Sequence, residues 1–255
     1  MATEYGGSGD PKRSMELLWG TREPPRRGPR PRLTVDQIIG TAIRIADAEG
    51  LAALSMRRVG EALGVTAMSL YTYVPSKAEL VDVMIDTAVG EFDPDDAAAD
   101  GWRERLERVA RQNWDLYRRH PWMLQASMSR PVLGPNLVAR YDHELRSVEG
   151  VGLSDVDMDL VITLLSNYVR GAVRTALEAA EAERRTGMSE EQWWATYAPL
   201  LEQVFDGDAY PVAARVGAAA GEEFQSAVAP DRAFEFGLQR VLDGIGAYID
   251  FRRGT

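Results

Sequence analysis

Residues 54–77, LSMRRVGEALGVTAMSLYTYVPSK, leave room for two short helices and a turn, and for little else. Ser55 has the side chain to accept from the backbone N–H groups that open a helix. Residues 56–63 are helix formers with Val59, Ala62 and Leu63 on one face. Gly64 follows, where a left-handed C-cap is cheapest without a Cβ. After Val65 and Thr66, residues 67–73 read as a second short helix that stops before Pro75. Two short helices joined by a turn of about three or four residues containing glycine are the sequence form of a helix-turn-helix. The second helix carries Ser69, Tyr71, Thr72 and Tyr73, whose hydroxyls can reach bases and phosphates, with Leu70 and Val74 as anchors. A helix lying in a DNA major groove needs that equipment. Composition alone fits a pair of ordinary surface helices equally well, because tyrosine is common at half-buried positions.

The charge of the whole chain argues against nucleic acid until it is divided. The net value is −10, yet residues 1–77 hold eleven Lys and Arg against eight Asp and Glu, a balance of +3 that leaves −13 for residues 78–255. A basic N-terminal part tethered to an acidic remainder attracts phosphate locally and keeps the rest off the duplex. With 255 residues, 45% of them apolar, the chain has material for one large domain or two unequal ones. The absence of cysteine excludes a disulfide framework and a thiolate metal site. No apolar run approaches the roughly eighteen residues of a membrane span, and the N-terminus lacks a signal peptide's apolar core. A cytoplasmic protein with no membrane partner is expected.

In chain order, residues 1–14 are rich in Gly, Ser and charge and are expected to lack structure. Residues 15–19, MELLW, are oddly apolar for such a tail. They suit either a short helix packed on its own domain or an extension that touches DNA or a partner subunit. Residues 21–32 contain four prolines and five arginines. Proline forbids helix there, and an extended arginine arm can enter a minor groove; the alternative is a solvated linker. Arg30 and Arg32, nearest the folded part, are the contact candidates of that arm. Thr34 and Gln37 form a capping box for a helix whose Val35, Ile38, Ile39, Ala42, Ile43 and Ala46 share one face, which is core. Ser76 and Glu79 predict another box, opening a helix to about Phe92, with Lys77 placed for a DNA phosphate.

The acidic segment 93–101 marks a domain boundary, so the division is a basic arm (1–32), a DNA-binding domain (33–92) and a C-terminal domain (93–255). Beyond it every long segment reads as helix. Residues 102–120 are amphipathic, with Leu106, Val109, Ala110, Asn113, Trp114 and Tyr117 in register. Residues 122–130 read as a short helix, and another follows Gly134 and Pro135 to about Val148. Ser154 with Asp157 and Ser189 with Gln192 cap helices over about 155–185 and 190–205. Residues 212–229 are weakly patterned, and 231–252 form a last helix. The fold class is all-α.

The block 33–92 resembles the N-terminal domain of the TetR family of transcriptional regulators. The resemblance runs through ADAEGL ending the first helix, then SMRRV, LGV, SLYTYV and KAEL, in that order. The segments HPWMLQASMSRPVLGPN and FEFGLQRVLDGIGAYIDF resemble the C-terminal regulatory domain of the tetracycline-repressor subgroup, so the likeness covers nearly the whole chain after residue 30. It implies a three-helix DNA-binding domain followed by a larger helical domain that binds a ligand and dimerises. Carried onto this chain, it places Met56 and Arg57 where the supporting helix meets DNA. Thr66, Ala67, Met68, Ser69, Tyr71, Thr72 and Tyr73 occupy the reading turn and helix, and Lys77 the phosphate site. Physically, Arg57 is the side chain among these that can grip a guanine edge with two bonds. The resemblance further implies a homodimer through the helices over 155–185 and 231–252, where Gly171, Ala172, Gly237, Gly244 and Gly246 permit close approach. The double-stranded operator is then a near-palindrome.

A regulatory pocket would lie among the C-terminal helices and be largely apolar. Its candidates are Trp114, Tyr117, Met123, Leu124, Met128, Leu164, Tyr168, Trp193, Trp194 and Tyr197; core packing is the alternative for each. The expected effector is a hydrophobic or amphiphilic small molecule. In tetracycline-binding members a histidine shortly before the S/T-R-P motif holds a magnesium–drug chelate. Here the motif is Ser129-Arg130-Pro131 and the matching residue is Ala126, which disfavours that ligand. His120 and His143, the two histidines, suggest no metal site, and no cofactor is implied. Nucleophile-elbow, phosphate-loop, dinucleotide-binding and zinc-protease motifs are missing, so an enzyme is not expected. The competing readings are a helical protein-interaction module and an activator without ligand control.

Overall fold

The computed structural model describes residues 10–21, 33–93, 101–126 and 131–254. Among these all regular structure is helical. Eleven α-helices are numbered here in chain order.

The N-terminal head consists of α2 (Val35–Glu49), α3 (Met56–Leu63), α4 (Ala67–Tyr71) and α5 (Lys77–Val89). Both halves of the Thr34–Gln37 capping box form, and Ile38, Ile39, Ala42, Ile43 and Ala46 of α2 are buried. They meet Val59, Leu70, Val74, Leu80, Met84, Ile85 and Ala88 in one core. Each fully buried aliphatic side chain of this kind contributes about 1.5–3 kcal/mol.

Helix α5 is buried on nearly every side, and three of its carboxylates, Glu79, Asp82 and Asp86, are buried with it. Each is matched to a donor from another element. Glu79 Oε1 accepts from the Asp10 backbone N–H at 3.0 Å, Asp82 accepts from Ser14 Oγ at 3.2 Å, and Asp86 accepts from the start of α7. Glu79 therefore does not complete the expected capping box: Ser76 caps Ala78 N, and Glu79 turns to α1 (Pro11–Leu18) as well as to the Ser76 hydroxyl. The expectation of a tail without structure through residue 14 is also corrected. Asp10 caps α1, Pro11 opens it, and α1 packs on α5, as the own-domain reading of MELLW anticipated. The end of α5 comes at Val89, three residues before the expected Phe92.

The body is built from α6 (Trp102–Arg119), α7 (Pro135–Arg146), α8 (Asp155–Thr186) and α11 (Pro230–Arg253), with α8 packed on both α6 and α11. The six register residues of α6 are all buried. A 3-10 turn, Pro121–Leu124, replaces the start of the expected helix over 122–130, of which 127–130 lie outside the described residues. The boundary segment expected at 93–101 also lies mostly outside them. Helix α9 (Glu190–Val204) follows its Ser189–Gln192 box but buries none of its residues. The weakly patterned stretch forms α10 (Pro211–Phe224), in which only Gly221 is buried.

Two polar hinges join head and body. Asp47 of α2 accepts from His120 Nδ1 at 2.7 Å and from the indole N–H of Trp122 at 2.8 Å, and Trp122 is fully buried. Asp86 accepts from the backbone N–H of Leu137 at 2.9 Å and from the side chain of Asn136 at 3.1 Å, so it caps the N-terminus of α7 from another helix. Burial pushes the Asp86 carboxyl up, against the pull of those N–H groups.

Candidate nucleic-acid interface and effector cavity

Helices α3 and α4 approach closely because position 60 is glycine. A Cβ there would meet the Val65 carbonyl at 2.8 Å. Gly64 then turns the chain in the left-handed region, with φ 68°, which only glycine adopts cheaply. Ser55 caps α3 through Arg58 N, and Thr66 caps α4 through Ser69 N. Leu70 and Val74 anchor α4 in the core at 0% exposure.

This anchoring turns one surface outward. Met68 is 76% exposed, and Thr66, Ser69, Tyr71 and Thr72 are exposed beside it. The Thr66 and Ser69 hydroxyls lie 3.0 Å apart. Arg57 has 86% of its side chain in solvent and a loose pairing with Glu61 at 3.7 Å. Its neighbour Arg58 is committed elsewhere, bonding Glu49 at 2.6 Å and tying α3 to the end of α2. Ala67 and Tyr73 are half-buried against the core, and Lys77 is half-buried in the first turn of α5. Met56 is a correction. At 5% exposure it faces the head's core, because the α3 turn that presents Arg57 points its predecessor inward. Arg30 and Arg32 lie outside the described residues.

A cavity of about 290 Å³ opens between α6, α7 and α8 and reaches Val89 at the end of α5. Its lining is more polar than anticipated, with Asn113, Tyr117, Arg140, Glu144, Ser166, Asn167 and Arg170 among aliphatic Val89, Leu116, Leu137 and Ile162. Arg140 is buried and fully engaged. It bonds Glu144 at 3.0 Å, Asn113 at 2.9 Å and the Val89 carbonyl at 3.3 Å. Arg170 lies over the Tyr117 ring at 6.0 Å and has no hydrogen bond or ion pair among the described residues. Burial pushes the Tyr117 phenol up.

Of the aromatic and apolar candidates, Tyr117 lines this cavity and the other described ones do not. Trp114 stacks on Phe234 at 4.1 Å, and Tyr168 donates to the Phe234 carbonyl at 2.6 Å, both in the seam between α8, α6 and α11. Met123 and Leu124 sit in the 3-10 turn, Met123 fully in the core. Leu164 lies on the outer face of α8, where with Leu160, Gly244 and Tyr248 it lines a shallow groove toward α11. Trp193 and Tyr197 stack on each other at 4.5 Å on α9, and Trp194 abuts Gly221 of α10. Met128 lies outside the described residues. Sequence reasoning passed over Arg140, Glu144 and Arg170 because charged side chains on a helix read as a solvated face. His143, expected on an exposed helix, is buried and lies 5.2 Å from the Phe92 ring.

The helix-approach glycines divide. Gly237 is filled by Tyr168 and Gly246 by Trp102 of the same chain, whereas Gly171 and Gly244 face open space. Leu160 and Leu164 line the groove between α8 and α11, and they, with Val156 of α8 and Phe251 of α11, are all at least half exposed. Among the described residues no helix is long and apolar enough to cross a membrane, and no cluster of His, Asp and Glu could hold a metal ion.

Residues 38–84 match the model for bacterial regulatory proteins of the tetR family, and residues 93–249 match the tetracyclin repressor-like C-terminal domain. The HTH-type transcriptional repressor DrrR1 of Streptomyces coeruleorubidus is 45% identical over 99% of this chain and 92% of its own length. The class E tetracycline repressor protein of Escherichia coli is 24% identical over 88% of this chain and 96% of its own. Among solved structures, ActR of Streptomyces coelicolor in complex with actinorhodin superposes with a TM-score of 0.69. The two are 26% identical over 86% of this chain and 99% of that one.

Proposed function

The chain belongs to the tetR family of bacterial regulatory proteins, and from that premise we propose that it is a dimeric repressor of a near-palindromic operator, released by a small amphiphilic molecule bound between α6, α7 and α8. As a member it is a DNA-binding transcription factor and not an enzyme. In each half of the dimer, α4 enters the major groove while Arg57 grips a base edge and Lys77 a phosphate. Met68 and Ala67 offer apolar contact to thymine methyls. The exposed apolar groove of α8 and α11, with Gly171 and Gly244 unfilled, supports pairing of two copies there.

The switch rests on Arg140. This buried side chain is at once a wall of the cavity and the tie to the last carbonyl of α5. An effector that competes for Arg140, Asn113 or Glu144 loosens that tie. Helix α5 carries Lys77 at its far end, about 20 Å away at 1.5 Å per residue over its thirteen residues. A small tilt at Val89 therefore becomes a displacement at the DNA. The effector shifts occupancy only by its preference for the tilted state. Tyr117 and Arg170 favour a ring-bearing molecule with a polar or anionic edge, and the similar protein ActR is described in complex with actinorhodin.

Selection of binding sites from random DNA tests the operator and shows palindromy directly. On the selected site Arg57→Ala relaxes base preference at one position by about 1–3 kcal/mol, whereas Lys77→Ala weakens all sequences alike. Equal loss on every sequence for both variants overturns the assignment of the base reader. A selected operator occupied identically by wild type and Arg140→Ala across an effector library would leave DNA binding standing and remove the switch.

A further inference from the structure

The short helix α1 is absorbed by neither the reading head nor the effector cavity, yet it is firmly placed. Its first residues meet the first turn of α5 through Asp10 N–H and Glu79, and its middle meets Asp82 through Ser14. Beyond its end, the Trp19 indole N–H donates to the Leu133 carbonyl at 2.9 Å, and Leu133 precedes Gly134, which lies against Asp86. These contacts step along α5 from Glu79 to Asp82 to Asp86, so α1 runs parallel to α5 with its start at the DNA-proximal end. Leu17 and Leu18 pack against the common core and fix its rotation.

That rotation puts Arg13 beside the reading helix. A groove of about 300 Å³ separates α1 from the junction of α4 and α5, and Arg13, Glu16, Leu17, Tyr71 and Pro75 line it. Glu16 pairs with Lys12 along α1 at 4.0 Å. Among the described residues the Arg13 guanidinium and the Tyr71 hydroxyl have no hydrogen bond or ion pair. Two uncommitted donors, one of them cationic, thus face one groove at the edge of the DNA-reading surface. A guanidinium fork and a phenol O–H are a good match for the oxygens of one backbone phosphate.

We propose that α1 widens the DNA interface, with Arg13 and Tyr71 together holding a backbone phosphate beside the half-site that α4 reads. This rests on α4 being the reading helix. Arg13 then sets register and affinity and carries no base preference.

The test is a titration of full-length protein by fluorescence anisotropy at several salt concentrations, on a selected operator and on a random-sequence duplex. Arg13→Gln is expected to reduce the slope of log affinity against log salt by about 0.9 for each copy of the chain bound. It should weaken both duplexes by the same factor with unchanged thermal unfolding. Arg13→Lys, which keeps the charge, should restore the slope. An Arg13→Gln slope equal to wild type, with Lys77→Ala reducing it, overturns the contact and leaves the reading head intact. If neither variant alters the slope, the DNA-facing assignment of this surface falls with it.

Discussion

Replacing Asp86 by alanine removes the N-cap of α7 and one of the two hinges between head and body. The carboxylate accepts from Leu137 N–H at 2.9 Å and from Asn136 Nδ2 at 3.1 Å, and the residue is 3% exposed. Loss of a capping side chain costs about 1 kcal/mol, and a hydrogen bond to a charged acceptor is worth about 1.5–3 kcal/mol. Against this stands the desolvation that pushes the Asp86 carboxyl up, which the alanine variant no longer incurs. The donors also recover water as α7 frays. The net expectation is a loss of about 2 kcal/mol, or about 4–8 °C in melting temperature for a chain of this size. Urea unfolding at neutral pH, followed by circular dichroism and tryptophan fluorescence, measures it. A variant within about 0.5 kcal/mol of wild type, the range of an ordinary surface substitution, would refute the hinge.

Gly60→Ala sets a methyl against the Val65 carbonyl, 2.8 Å away, and should spread α3 from α4 at a cost of about 1–3 kcal/mol. Operator affinity should fall further than thermal stability does; an unchanged affinity would show that the close approach is dispensable. Changing Leu160 and Leu164 together to glutamate should yield a monomer by light scattering, with the fold retained, because both side chains are at least half exposed within one chain. Glu91 supplies a pH signature. Burial alone would raise its carboxyl, but the bonds from Arg119 and His120 outweigh it and hold the group below the ordinary glutamate value of 4.5. Its contribution is therefore complete above that value and is lost as pH falls through the folded one. Acid unfolding of Glu91→Gln should show a shallower loss over that window than wild type, and parallel curves would contradict the assignment.

Helix boundaries were legible wherever the deciding bonds are local. The boxes of Thr34 with Gln37, Ser154 with Asp157 and Ser189 with Gln192 all form, each between residues three apart, whereas the equally spaced Ser76 and Glu79 do not complete theirs because Glu79 is drawn to α1. The Gly64 turn and the anchors Leu70 and Val74 were legible for the same reason. Membership of the effector cavity was not. Large aromatics at helical spacing announce a core, and Trp114 and Tyr168 are used there, in the α6–α8–α11 seam. Leu164 points away from the cavity altogether, because the rotation of α8 is set by its contacts with α6 and α11.

The chain's own residues determine its helices, the exposed face of α4 and the division between a basic N-terminal part and an acidic remainder, because caps, periodicity and charge act over a few neighbours. Tertiary structure decided which polar groups meet. Asp47 finds His120 across 73 positions, Asp86 finds Leu137 across 51, and Glu79 leaves its own helix to hold α1 across 69. A buried polar group, His120 in the first pair and the carboxylate in the other two, must find its partner wherever packing brings it. Which partner that is depends on how whole helices are placed, and the local pattern around each group carries no trace of it.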